Sequence, residues 1–195
     1  MPDRAVARRQ KLVAAARALF AEHGFHGTGM AQIATASGIK VGQIYRDFAS
    51  KEQIVGAIVE TDLAAFLDEA ALRKAVDAHD LTAVRRWIGE FVCGDTDDES
   101  RRLMPEICAE AARNDRVAAI MQNVNARVIA DLTEALTVFA PQPEKAAQIA
   151  VVADLILTLA IGLTSQRSTG TLRAPEALCA RIEALIDAEL AALAA

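Results

Sequence analysis

Between Ile39 and Phe48 the chain sets Lys40, Val41, Gln43 and Arg46 on one side of a short helical repeat and Ile39, Ile44 and Phe48 on the other. Polar donors on one face and apolar anchors on the opposite one suit a helix that seats itself on its neighbours and offers its outer face to a target. Gln43 can grip adenine and Lys40 can reach guanine, whereas Val41 has only apolar surface for a thymine methyl. Upstream, Ala34 is followed by Gly38 and then by Ile44, the spacing a helix-turn-helix needs. A small residue lets two helices cross closely, a glycine makes the turn, and the second helix is left free to enter a major groove with its N-terminal residues.

A helix this short is marginal in water by itself, so other elements must hold it. Leu12, Ala16, Leu19 and Phe20 share one face of a preceding helix, and Gly24 suits its stop because glycine enters the left-handed cap without strain. Thr28 is expected to cap a second helix that buries Ile33 and Ala34, with Ser37-Gly38 as the turn. Ser50 with Gln53 reads as a capping box. It opens a longer helix in which Ile54, Val55, Ile58, Val59, Leu63, Phe66 and Leu67 repeat at helical spacing. Further helices are expected over about 81–93, 101–113, 115–139, 143–166 and 175–193, with Pro105 starting or kinking one of them. The predicted fold class is all-α.

Composition agrees. Hydrophobic residues make up 53% of the 195-residue chain and aromatics 4%, a balance that favours alanine-rich helices over sheet. Net charge is −5, but it is unevenly spread. Residues 1–55 carry eight Lys/Arg against four Asp/Glu, and the rest carries 13 against 22. A basic head on an acidic body points to a polyanion partner at one end. The N-terminus lacks the apolar stretch of a signal peptide. The apolar run Ile149–Leu163 falls short of the roughly 18–20 residues that span a bilayer. Cys93, Cys108 and Cys179 lack close spacing and read as reduced, buried thiols of a cytoplasmic chain. No membrane association is expected.

Residues 9–55 carry F-x-x-x-G-F-x-x-T-x-M-x-x-I-A-x-x-S-G-I-x-x-G-x-I-Y-R-x-F-x-S-K-E, which resembles the DNA-binding region of the TetR family of transcriptional regulators. The resemblance implies a helix-turn-helix domain over 1–50 and a helical effector-binding and dimerisation domain over 51–195. It implies a homodimer on double-stranded DNA with a palindromic operator, released when an unknown small-molecule effector enters the body. Carried over, Thr28 would hydrogen-bond a phosphate. Lys40, Val41, Gly42 and Gln43 would face bases, and Arg46 a base or a phosphate. Tyr45 would place its hydroxyl on a phosphate with its ring packed inward. Lys51 would bind a phosphate at the fourth helix's N-terminus, where dipole and charge act together. Family members often carry a second threonine at the position of Gly29 and Ser-Lys at that of Lys40-Val41.

For the body, the resemblance implies that the last two helices pair with their symmetry mates, through Ile149, Ala153, Ile156, Leu178, Ile182 and Leu185. Apolarity and position mark Trp87, Phe91, Met104, Ile107, Cys108, Met121, Val124 and Leu155 as candidate effector-pocket residues. Asp154 joins them as a carboxylate in an apolar run, to pair with an arginine across a dimer, face water or bind a cationic ligand. The acidic stretch 94–100 has Ser100 where a calcium loop needs glycine, so it reads as a solvated loop capping the next helix. His23, His26 and His79 show no ligand spacing, and no metal or cofactor is expected. Without a nucleophile–base pair or a phosphate loop, the residues do not point to an enzyme. A helical enzyme or a protein-interaction module is the rival class, and an activator or a regulator without a small ligand the rival within the class.

Overall fold

The computed structural model describes residues 4–95 and 97–195, without the side chains of Ala65 and Phe66; the expected burial of Phe66 lies outside the described residues. Ten α-helices follow one another among the described residues: α1 (Arg4–Gly27), α2 (Met30–Ser37), α3 (Val41–Asp47), α4 (Lys51–Leu67), α5 (Glu69–Asp77), α6 (Leu81–Cys93), α7 (Asp98–Ala111), α8 (Asp115–Thr137), α9 (Ala146–Ser168) and α10 (Pro175–Ala194). A single 3₁₀ turn, Pro143–Lys145, leads into α9. Two compact units result, one comprising the described residues of Met1–Leu63 and Thr96–Val124 and the other Ala64–Asp95 and Asn125–Ala195.

In the first unit, Leu12, Ala16 and Phe20 lie one helical turn apart on α1 and are buried to within 1%. They meet Ile33 of α2, Ile44 of α3, Phe48 after it and Ile54 and Ile58 of α4 in one core. Burying each large apolar side chain contributes about 1.5–3 kcal/mol, which offsets the poor intrinsic stability of the seven-residue α3. Gly24 breaks α1 as its sequence suggests, with φ of 74°. Gly38 takes φ of 66° after α2, and the turn closes through Gly38 N–H to Thr35 O at 3.2 Å and Ile39 N–H to Ala34 O at 3.1 Å.

Three details differ from expectation. Gly29, not Thr28, is the cap residue of α2. The Gln53 side chain reaches past Ser50 to accept the Ala49 N–H at 2.8 Å. Pro105 sits inside α7, which begins instead at the Asp97 cap, where the carboxylate accepts the Ser100 N–H at 2.8 Å.

In the second unit a helix was not foreseen. Asp68 adopts a left-handed conformation (φ 40°), ends the apolar repeat of α4 and caps α5 by accepting the Ala71 N–H at 3.2 Å. The Asp80 side chain does the same for α6, accepting the Ala83 N–H at 3.0 Å. Within this unit α6 packs on α5 and α9, and α9 on α10. The Trp87 and Phe91 rings stack at 5.9 Å, and the Trp87 indole N–H donates to Leu67 O. Ile149, Ala153, Ile156 and Ile182, expected at a dimer interface, are buried inside their own unit. On α9 another face, with Val151 and Ile161, is exposed instead, while on α10 the expected Leu178 and Leu185 are exposed.

Candidate nucleic-acid interface

The outer face of α3 stands clear of the unit that carries it. Lys40, Val41, Gly42, Gln43, Tyr45 and Arg46 are all exposed, while Ile44 and Phe48 point into the core. A Cβ added at Gly42 would meet no atom within 4 Å, so open space lies directly over the start of this helix. The tyrosine differs from expectation: Tyr45 is 53% exposed, so its ring belongs to the outer face and does not pack inward. A ring and a hydroxyl presented together suit a sugar–phosphate backbone as well as a base edge.

Two arginines far away in sequence set the orientation of that face. Arg8 grips Asp47 through Nε to Oδ2 and Nη2 to Oδ1, each at 2.7 Å. Arg9 reaches the Asp47 carbonyl at 3.4 Å and lies over the Phe48 ring at 4.3 Å. The Arg8 hydrogen bond holds the Asp47 carboxyl below the usual carboxylate range, against a smaller opposing effect of burial. In the sequence Arg8 and Arg9 are only two of the eight Lys/Arg of residues 1–55. Contacts spanning 39 and 38 residues leave no periodic signal that could have revealed them.

The residues expected on phosphates at the other end behave differently. Thr28 is fully buried, and its hydroxyl donates to Leu19 O at 3.1 Å. It is a fastener inside the α1–α2 corner and cannot reach a phosphate. Lys51 is half-buried; its Nζ donates to Phe25 O at 2.8 Å and Thr28 O at 3.0 Å and sits 4.3 Å from the Phe25 ring centre. Its charge satisfies the last carbonyls of α1, where the helix dipole favours a cation. The same corner is tied to α7, because Glu106 Oε1 accepts the Phe25 N–H at 2.9 Å. His26 Nε2 stands 2.9 Å from Glu110 Oε2. Burial would raise the Glu110 carboxyl, but hydrogen bonds from Asn114 and Arg113 outweigh it and hold the group below its ordinary value.

A basic, solvent-facing helix held from behind by α1, α2 and α4 is the arrangement of a helix-turn-helix head. The family model described as bacterial regulatory proteins, tetR family, matches residues 12–58. Residues 12–58 therefore match the DNA-binding region of the TetR family. The chain is 32% identical over 117 residues to the HTH-type transcriptional regulator UidR of Escherichia coli K12, covering 59% of this chain and 57% of that relative. The match therefore spans little more than half of the relative's length. Salmonella enterica GusR shares 25% identity with a TM-score of 0.69 over 97% of this chain and 98% of its own. A transcriptional regulator from Rhodococcus sp. Rha1, 19% identical, has the same fold at a TM-score of 0.70 over 96% and 98%.

The expected effector residues are divided between the two units. Met104, Ile107, Cys108, Met121 and Val124 belong to the first unit and Trp87, Phe91, Asp154 and Leu155 to the second. Cys108 and Asp154 are exposed, so Asp154 faces water within this chain. Ile107 lines a cavity of about 10 Å³ with Phe20, Phe25 and Leu103, room for one water. A groove of about 580 Å³ opens in the second unit against Val76, His79, Thr133, Glu134, Thr137 and Val138. None of the nine expected residues lines it. Apolarity in sequence cannot separate a core position from a wall of a groove, because both favour the same side chains.

Proposed function

We propose that this chain is a DNA-binding transcriptional repressor of the bacterial cytoplasm that acts as a homodimer on a palindromic operator. The observation that carries the reading is the outer face of α3: every donor on it is exposed, and the residues behind it hold the helix in place. Gln43 and Lys40 are the side chains fitted to base edges. Tyr45 and Arg46 supply backbone contacts.

A dimer is supported by unspent apolar surface. An 18-residue window within Pro143–Ser168 has a mean hydropathy of 2.1, yet 33% of it is buried. Val151 and Ile161 on α9 are 68% and 50% exposed, and Leu178 and Leu185 on α10 are 38% and 41% exposed. Apolar stripes on two adjacent helices suit a self-complementary twofold interface. Two heads would then address half-sites about 34–36 Å apart. A small molecule held by the second unit, where the groove has a volume of the right order, would favour a dimer whose heads no longer match that spacing.

Fluorescence anisotropy tests the reading, with DNA from upstream of the protein's own gene and a shuffled copy at two salt concentrations. Binding should fall steeply with salt and favour the upstream DNA. Arg46→Ala should weaken both complexes, and Gln43→Ala should erode the preference. Equal binding of both DNAs, unmoved by either substitution, would sink the assignment. In light scattering, Ile161→Glu should halve the mass of the assembly.

A further inference from the structure

Two of the three cysteines meet although 86 residues separate them. Cys93 ends α6, and its thiol donates to the Cys179 carbonyl in the first turns of α10 at 3.9 Å, with the Cys179 side chain also within hydrogen-bonding reach. Arg167, near the end of α9, closes the group. Its Nη2 lies 3.7 Å from Cys179 Sγ and donates to Cys93 O at 2.9 Å, while Nη1 donates to Gly94 O at 2.6 Å. Both cysteines are half-buried and both are free thiols. Cys108, by contrast, sits alone and exposed.

We propose that Cys93 and Cys179 are a peroxide-oxidised dithiol, in which Cys179 takes the oxidising equivalent and Cys93 resolves it to an intramolecular disulfide. The two roles follow from the surroundings. Burial first, then the hydrogen bond and charge of Cys179, push the Cys93 thiol up to about 12, so it stays protonated at neutral pH. Cys179 has the Arg167 guanidinium beside its sulfur, positioned by its hydrogen bonds to the Cys93 and Gly94 carbonyls. In the first step the Cys179 thiolate attacks the outer oxygen of a hydroperoxide. The O–O bond breaks, the released alkoxide or hydroxide takes up a proton, and Cys179 becomes a sulfenic acid. In the second, Cys93 sulfur attacks the Cys179 sulfur, the S–O bond breaks, and the departing hydroxide takes the Cys93 proton to leave as water. Two thiols are oxidised to one disulfide, and one hydroperoxide is reduced to an alcohol, or to water, plus water. The bond joins the end of α6 to the start of α10 and is reversed by thiol exchange, as suits a reducing compartment.

The test uses the full chain, reduced, freed of reductant and treated with hydrogen peroxide, then alkylated and digested without reductant. Mass spectrometry should find the Cys93 and Cys179 peptides joined within one chain, about 2 Da lighter than the free pair, with Cys108 still alkylated. In Cys93→Ser the sulfenic acid should persist on Cys179 and be captured by dimedone. In Cys179→Ser the same dose should leave Cys93 unmodified. The proposal is overturned if Cys108 is consumed first, if Cys93 oxidises in the Cys179→Ser chain, or if the unaltered protein yields no Cys93–Cys179 link. Arg167→Lys should keep the dimedone rate of Cys179, whereas Arg167→Met should slow it relative to Cys108. An unchanged ratio in the methionine variant removes the role given to the guanidinium.

Discussion

Arg8 and Asp47, 39 residues apart, face each other through two parallel N–H to oxygen contacts of 2.7 Å, and this pair fixes the C-terminal end of α3 against α1. Asp47→Asn tests whether the pair positions the helix or only neutralises charge. Removing a negative charge from a basic head would by itself tighten binding to every DNA. If the pair orients α3, the variant loses discrimination between upstream and shuffled DNA instead. The folded-state value of Asp47 is depressed, so its stabilisation is present above the unfolded carboxylate value and is lost as pH falls through the folded one. The melting difference between Asp47→Asn and the parent, equivalent to about 1 kcal/mol or less, should be full at neutral pH and shrink below about pH 4. Thermal unfolding over a pH series reads it.

Gly24→Ala should destabilise the first unit. The position has φ of 74°, and a Cβ there would stand 2.8 Å from Glu106 Oε1, the oxygen that accepts the Phe25 N–H. The left-handed backbone alone costs about 1–2 kcal/mol for a residue with a Cβ. A melting temperature lower by roughly 2–8 °C is expected, and an unchanged one would show that neither the conformation nor the carboxylate constrains this corner.

Gly42→Ala separates folding from binding. Nothing lies within 4 Å of the added carbon, and alanine favours the helix by up to about 1 kcal/mol. Stability should hold or rise while DNA affinity falls, because the methyl group occupies space the proposed reading gives to the DNA. Equal affinity in an anisotropy titration would place the DNA elsewhere.

Thr28→Val and Lys51→Met address two residues that the motif assigns to phosphates. Thr28→Val should cost about 1 kcal/mol by removing the hydrogen bond to Leu19 O, with DNA affinity unchanged once folding is complete. Lys51→Met should cost about 1.5–3 kcal/mol, since it deprives Phe25 O and Thr28 O of a charged donor. Urea titrations give the stabilities. A Lys51→Met chain as stable as its parent would return the ammonium to a purely DNA-facing role.

The motif spacing and helical repeats made the head legible in the primary structure. Leu12, Ala16 and Phe20 recur at one-turn spacing, glycines stand at both left-handed positions, and the donors of α3 fall on one face. These are local properties, governed by a 3.6-residue period and by backbone sterics, and so they can be read along the chain. The start of α5 escaped because Asp68 takes a left-handed conformation that asparagine and aspartate adopt without a glycine to announce it.

What only the tertiary structure decided are the long-range pairings. Arg8 with Asp47, Glu106 with the Phe25 N–H, Lys51 with two carbonyls and Cys93 with Cys179 each join residues at least 23 apart. Tyr45 turned outward and Thr28 inward for a related reason: one helical residue of shift in a cap or a face exchanges water for core. Side-chain type states what a residue can bond, and the sequence of this chain states it clearly for the outer face of α3. Which partner it meets depends on where separate helices bring their surfaces together, and no period along the chain encodes that distance.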